Sequence, residues 1–166
     1  MSHARQPAIN HRAIVLAGLA GSLAEVVWIA LYCAATPLSG SVVLRQITAS
    51  FAPGMVDSAW APTLGLLIHF ALGVAVAYAF SAVLWQAYAG RLGKRALRGM
   101  ALLALAAVWF VNFFVVLPVV NADFIALMPD PVTFASKLLF GVAMAATLNA
   151  FAARPARHAA GKLAHV

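Results

Sequence analysis

The amino-acid sequence predicts an all-α membrane protein: a four-transmembrane-helix bundle with a short amphipathic helix in its first outer loop. Hydrophobic residues make up 64% of the 166 positions and charged residues 9%, with a mean hydropathy of +0.95. Soluble domains are usually about 45–50% apolar, so a soluble core could not hide this much apolar surface. Four apolar stretches are long enough to cross a ~30 Å hydrocarbon core as helices. We predict these spans at residues 13–35, 62–85, 99–117 and 132–151.

The first span follows a polar segment, residues 1–12, which is predicted to be a cytoplasmic tail. A cleaved signal peptide also begins with a basic region and an apolar run, and this alternative stays open. The length of the run, the presence of Glu25 within it, and Tyr32 directly before Cys33 favour a retained span. Cys33 is the only cysteine, so no intrachain disulfide or CxxC metal site is possible.

The connections between the spans carry their own signals. Residues 41–51 (SVVLRQITASF) predict an amphipathic helix at the interface or over the bundle, because it is too short to span. Its apolar face is formed by Val43, Leu44, Ile47 and Phe51. Asp57 or Ser58 is expected to cap the second span, and Pro118 is expected to end the third. Residues 121–131 are predicted to form a loop, and residues 152–166 a basic cytoplasmic tail.

The distribution of basic residues predicts the orientation. Nine of the eleven Lys and Arg lie in residues 1–12, in residues 91–98 and in the tail from Arg154, leaving only Arg45 and Lys137 elsewhere. The positive-inside rule therefore places both termini in the cytoplasm and the loops at 36–61 and 118–131 outside.

Each predicted span carries one polar residue at a similar depth, about 9–10 Å from the outer boundary at 1.5 Å per residue. These residues are Glu25, His69, Asn112 and Lys137. A charged residue at the centre of a span costs about 2.5–3.5 kcal/mol, so such residues usually face the bundle interior and find partners. We therefore predict a buried network in which Glu25 accepts from His69 or Lys137 while Asn112 bridges.

Each candidate also has a simpler interpretation. Lys137 is close enough to the boundary to extend into the headgroups, and Asn112 is consistent with an interhelical hydrogen bond alone. His69 is consistent with a packing, proton-handling, ligand-binding, or metal- or haem-ligating role. Glu25 must be either protonated or paired. Arg45 could cover the network, bind an anionic headgroup, or be a solvated loop charge.

The small residues Gly65, Gly73 and Gly141 allow close helix packing, and we predict that their faces contact a homo-oligomer or a larger membrane complex. The lipid bilayer is the other predicted partner. Nucleic acid is not predicted, because the basic residues form short clusters between apolar spans. The chain has no P-loop, HExxH or GxSxG motif, and it has only four acidic residues. We therefore predict no catalytic residues, no metal site and no cofactor.

The order of features over residues 62–145 resembles the YagU-like family of small bacterial inner-membrane proteins. The features are a histidine early in the second span, the run FALGVAVAY, a basic turn, a polar residue before proline in the third span, and a short outer loop. Where that family tends to carry a histidine and an acidic residue, this chain has Asn112 and Lys137. The resemblance implies a bacterial inner-membrane location and a link to acid stress.

Three classes of function follow from these features. The first is a non-enzymatic accessory or assembly subunit of a membrane complex, whose polar layer fixes helix register. The second is an oligomeric proton-coupled or ion-conducting small transporter that uses Glu25 and His69 as its titrating pair. The third, a membrane enzyme or a haem or quinone protein, lacks the expected ligands and acids, since a bis-histidine haem needs a second buried imidazole.

Overall fold

The computed structural model describes residues 10–85 and 93–152, and within these ranges the protein is helical with no strand. Four helices are long and apolar enough to cross a membrane, at His11–Ala34, Ala61–Leu84, Arg95–Val120 and Asp130–Phe151. The predicted all-α, four-helix class is therefore confirmed. Most of the predicted N-terminal tail, part of the basic turn, and all but the first residue of the predicted C-terminal tail lie outside the described residues.

The described chain contains seven α-helices, one 3₁₀ turn and two π-helical turns. The helices are α1 (His11–Ala34), α2 (Gly40–Phe51), α3 (Ala61–Phe80), α4 (Lys94–Val111), α5 (Leu117–Val120), α6 (Ala122–Leu127) and α7 (Asp130–Ala152). A 3₁₀ turn follows α2 at Pro53–Met55, and π-helical turns continue α3 at Ser81–Trp85 and join α4 to α5 at Asn112–Val116. Asn10 caps α1, where its Oδ1 accepts from the Ala13 N–H at 3.2 Å.

The long helices pack around one apolar core. Helix α7 packs against α1 and α4, while α3 packs against α1 and α2. The core lies toward the end of the bundle where α1 begins and α7 ends, which we call the termini end. Its buried residues are Ile14, Ala17, Ala77, Phe80, Ala101, Leu105, Phe140, Met144, Ala145 and Leu148. The opposite end, which carries α2 and α6, is called the α2 end.

Helix α2 forms where the amphipathic pattern predicts it, and it is docked on α3 rather than free. Thr48 is fully buried, and its Oγ1 donates to the Ala61 carbonyl at 2.6 Å. A side chain at Gly65 would collide with the Leu44 carbonyl, so only glycine permits this approach. Of the predicted apolar face, Val43 is buried, whereas Phe51 is 59% exposed.

Pro118 does not end the third span, and that prediction is wrong. The π-helical turn at Asn112–Val116 widens the helix just before the proline, and the Leu117 N–H reaches back to the Asn112 carbonyl. Pro118 then lies in the first turn of α5, where its missing N–H is tolerated. The helix runs on to Val120, and Asn121 caps a further short helix, α6, within the predicted loop.

The capping prediction for the second span is also wrong. No side chain caps α3, which begins after Trp60 with a proline in its first turn. The Ser58 Oγ instead accepts from the Trp60 N–H at 3.2 Å, so it stabilises the turn before the helix. Proline removes one of the N–H groups that a cap would otherwise satisfy.

Candidate functional site

A cavity of about 490 Å³ lies toward the α2 end of the bundle. All four polar residues of the predicted layer line it: Glu25, His69, Asn112 and Lys137. The rest of its wall is mainly apolar and includes residues of α2, α5 and α6. The sequence therefore placed the four residues in one region, and the helices bring them to one cavity.

Glu25 and Lys137 form an ion pair that joins α1 to α7. The Lys137 Nζ lies 2.7 Å from Glu25 Oε1, and the side chain of Glu25 is only 4% exposed. The Ser136 hydroxyl donates to the Thr133 carbonyl at 2.7 Å and also lies 3.3 Å from the same oxygen of Glu25. The Lys137 ammonium is directed at Glu25, which identifies a partner for the buried carboxylate and favours pairing over extension into the headgroups.

The side chain of His69 contacts the backbone of α1. The His69 Nε2 lies 3.2 Å from the Ser22 carbonyl oxygen, and because a carbonyl can only accept, Nε2 carries the hydrogen. The same nitrogen is 3.7 Å from Glu25 Oε2, which is within ion-pair range but too long for a hydrogen bond. His69 therefore links α3 to α1 primarily through Ser22, with Glu25 close by.

Asn112 does not bridge the network. It lines the cavity, yet within residues 10–85 and 93–152 its amide has no hydrogen-bond partner. The link between α4 and α7 is instead made one turn earlier, where the Trp109 Nε1 donates to Thr133 Oγ1 at 3.0 Å. The Lys137 ammonium pairs with Glu25, as one of the two predicted donors to that carboxylate.

Arg45 lies outside the cavity and has a different role from those expected. Its Nη1 donates to the carbonyls of Val56 and Ser58, at 2.7 and 2.9 Å. The guanidinium therefore fastens α2 to the segment that leads into α3. It does not cover the network, and it is not a solvated loop charge.

Several residues of the site were missed from the sequence. The Ser136 hydroxyl lies 3.3 Å from Glu25 Oε1, the Ser22 backbone carbonyl accepts from His69, and the Trp28 indole donates to the Val132 carbonyl at 2.9 Å. Two signals were available: Trp28 lies one turn after Glu25, and Ser136 adjoins Lys137. The indoles of Trp28 and Trp109 both donate to the first turn of α7, so two helices fix the start of the helix that carries Lys137.

The glycine faces are occupied within the chain, which corrects the predicted oligomer contact. Gly73 faces Ser22 of α1, and Gly65 faces α2. A side chain at Gly141 would meet the Ala101 carbonyl of α4 at 3.4 Å. Because all three glycines are buried against neighbouring helices, these faces are not free to receive a second copy.

The described residues also show how the His, Cys, Asp and Glu side chains are distributed. No group of three or more His, Cys, Asp and Glu side chains comes together there. The opposite charges of Glu25 and Lys137 cancel. The chemistry offered to the cavity is therefore hydrogen bonding from a charge-balanced cluster.

The fold and the site define a multi-pass membrane protein with a polar cluster that faces a cavity inside the bundle. Comparison of the chain with protein-family models, curated proteins and solved structures gives no match. Its function must therefore be argued from its own residues.

Proposed function

We propose that this protein is a non-enzymatic accessory or assembly subunit of a membrane complex in the bacterial inner membrane, with both termini in the cytoplasm. The clusters of Lys and Arg at one end of the spans support this orientation. The YagU-like pattern of residues 62–145 supports the bacterial inner membrane. In this orientation, the α2 end faces away from the cytoplasm.

The Glu25–Lys137 pair carries the proposal. Glu25 of α1 and Lys137 of α7 line the cavity and pair with each other, and His69 connects α3 to α1. A buried polar cluster of this kind fixes the register of helices, because any slip leaves a charge without its partner. Beyond the cluster, the apolar core fills the termini end, so the described helices favour a closed support over a pathway.

The surface at the α2 end offers a place for a partner. Phe51 and Trp60 are 59% and 71% exposed, on either side of the turn that Arg45 holds. Aromatic residues are enriched at both membrane interfaces and protein interfaces. We assign this aromatic pair as the contact with the complex.

The test is affinity purification of the tagged protein from its native membrane in a mild detergent. We expect a foreign subunit in stoichiometric amount, and its loss on Phe51→Ala/Trp60→Ala. Leu103→Ala is the matched control, because Leu103 is 73% exposed on α4, away from the α2 end. Recovery of the protein alone, or equal loss with Leu103→Ala, would contradict the proposal.

A second candidate function is proton-coupled transport with Glu25 and His69 as the titrating pair. The observation that favours it is the 3.7 Å separation of His69 Nε2 and Glu25 Oε2 at the edge of a cavity. The test is proton flux into proteoliposomes. Flux that Glu25→Gln abolishes and His69→Ala reduces would favour transport over the accessory role. Flux equal to that of protein-free liposomes would remove it.

A further inference from the structure

The cavity has the size and walls of a small-molecule site. Its volume of about 490 Å³ falls within the ~300–1,000 Å³ usual for ligand pockets, which are mainly apolar with a few polar groups. Val43 and Ile47 of α2 contribute to its wall, as do Phe113 and Leu117. An occupant must therefore carry a substantial apolar body.

Part of the cavity wall is also exposed on the outside of the bundle. Val116 and Val120 belong to its wall and are also 42% and 52% exposed, on a helix long and apolar enough to span the membrane. In a bilayer such a rim meets acyl chains. A molecule dissolved in the membrane can then enter without crossing water.

The polar end of the cavity offers unused hydrogen-bond donors. The Lys137 ammonium has three N–H groups, and Glu25 is its only partner among the residues described. The side-chain amide of Asn112 has no hydrogen-bond partner within residues 10–85 and 93–152. An acceptor that reaches both groups would gain about 0.5–1.5 kcal/mol for each hydrogen bond formed.

The charge of the cluster selects the kind of acceptor. Glu25 lies against Lys137 and cancels its charge, while Arg45 is bound to loop carbonyls. An anionic head would meet the Glu25 carboxylate without a surplus cation to balance it. A neutral head with carbonyl or ester oxygens takes the free donors at no such cost.

We propose that this cavity binds a neutral amphiphile from the bilayer, with its apolar body against α2 and α5 and its carbonyl or ester head at Lys137 and Asn112. Two membrane sources share this chemistry: glyceride lipids, through ester carbonyls, and quinones, through ring carbonyls. The proposal does not depend on the accessory role, since a bound amphiphile suits either candidate function.

The test measures uptake by the full chain in nanodiscs of an ether-linked lipid, which lacks ester carbonyls. The probes are dioctanoylglycerol and decylbenzoquinone, with dodecane and decanoate as controls without an acceptor head and with an anionic head. Retained probe is quantified by mass spectrometry after re-isolation. We expect saturable uptake of one or both carbonyl probes, and which of them binds distinguishes the two sources.

Two variants locate the binding. Asn112→Leu removes one free donor without breaking any hydrogen bond described, and it should weaken uptake about tenfold. Ile47→Trp fills the cavity and should abolish uptake, whereas Leu103→Trp on the exposed face of α4 should leave it unchanged. Equal uptake of dodecane, preferential uptake of decanoate, or unchanged affinity in Asn112→Leu would overturn the proposal.

Discussion

The Nζ of Lys137 lies 2.7 Å from Oε1 of Glu25, so the last long helix of the described chain is tied to the first by opposite charges in the apolar bundle. Glu25 is the more enclosed partner, at 4% side-chain exposure against 22% for Lys137. Neither helix can slide by one turn without separating the pair. This contact makes stability sensitive to either residue alone.

Glu25→Gln should lower the free energy of unfolding by about 3 kcal/mol, because removing one member of a buried pair leaves the other charge uncompensated. Glu25→Gln/Lys137→Met should recover most of that loss. The measurement is unfolding of the purified protein in maltoside micelles with increasing denaturant. A double variant as unstable as Glu25→Gln alone would show that the unpaired Lys137 charge does not cause the loss of stability.

Gly73→Ala should be strongly destabilising, because the new methyl would overlap the Ser22 hydroxyl and crowd Phe140. Gly99→Ala provides the matched control, since nothing lies within 4 Å of its added methyl. Gly99 is inside α4, where alanine gains up to about 1 kcal/mol of helix propensity. Equal melting temperatures for the two variants would contradict the close packing of α1 and α3.

Arg45→Gln should loosen the turn between α2 and α3, because the Val56 and Ser58 carbonyls lose their donor. Amide hydrogen exchange of residues 54–60 should accelerate about tenfold, which corresponds to a loss of about 1.4 kcal/mol in local stability. Arg98→Gln, an exposed cation at the other end of the bundle, should leave these amides unchanged. Unchanged exchange in Arg45→Gln would argue that the turn holds itself.

Trp109→Phe should cost about 1 kcal/mol of stability through loss of the indole hydrogen bond to Thr133. In a Thr133→Val background, the same change should cost measurably less, because the acceptor is already absent. The double-mutant cycle is read from unfolding in micelles. Identical costs in both backgrounds would assign the effect of Trp109 to ring packing against Phe134 instead.

The orientation can be tested by cysteine labelling, because Cys33→Ser yields a chain without cysteine. In that background, Ser39→Cys should react with a membrane-impermeant maleimide added to intact spheroplasts. Gly93→Cys should react only after lysis, since this exposed position lies at the termini end. The reverse pattern would place both termini outside.

The fold followed from the sequence because membrane spans are set by length and hydropathy, and the amphipathic pattern identified α2. The π-helical turn before Pro118 was not predictable, because proline signals a helix end unless the preceding backbone has already changed pitch. The capping of α3 failed for a related reason: a proline in the first turn reduces the need for a cap.

The candidate site was predictable as a depth but not as a set of contacts. Helical rise placed Glu25 and Lys137 in one slab, and the cost of a buried charge required a partner. Neither argument could show that Trp109 rather than Asn112 reaches α7, because that contact depends on how the helices rotate about their axes. Ser136 was missed since a serine in an apolar span resembles ordinary small-residue packing. The Ser22 contact was missed because His69 meets its backbone carbonyl, which every residue carries.

The widened turn at Asn112–Val116 also decides where the end of this helix points. Each residue of an α-helix advances the next by about 100°, so removing one residue here would swing Asn121 away from α2. Asn121 now donates to the backbone and side-chain oxygens of Gln46 and to Ser50. The wider turn thus sets the rotation at which the end of this helix meets α2. The hydrogen bonds that hold α2 in place as a wall of the cavity depend on that rotation.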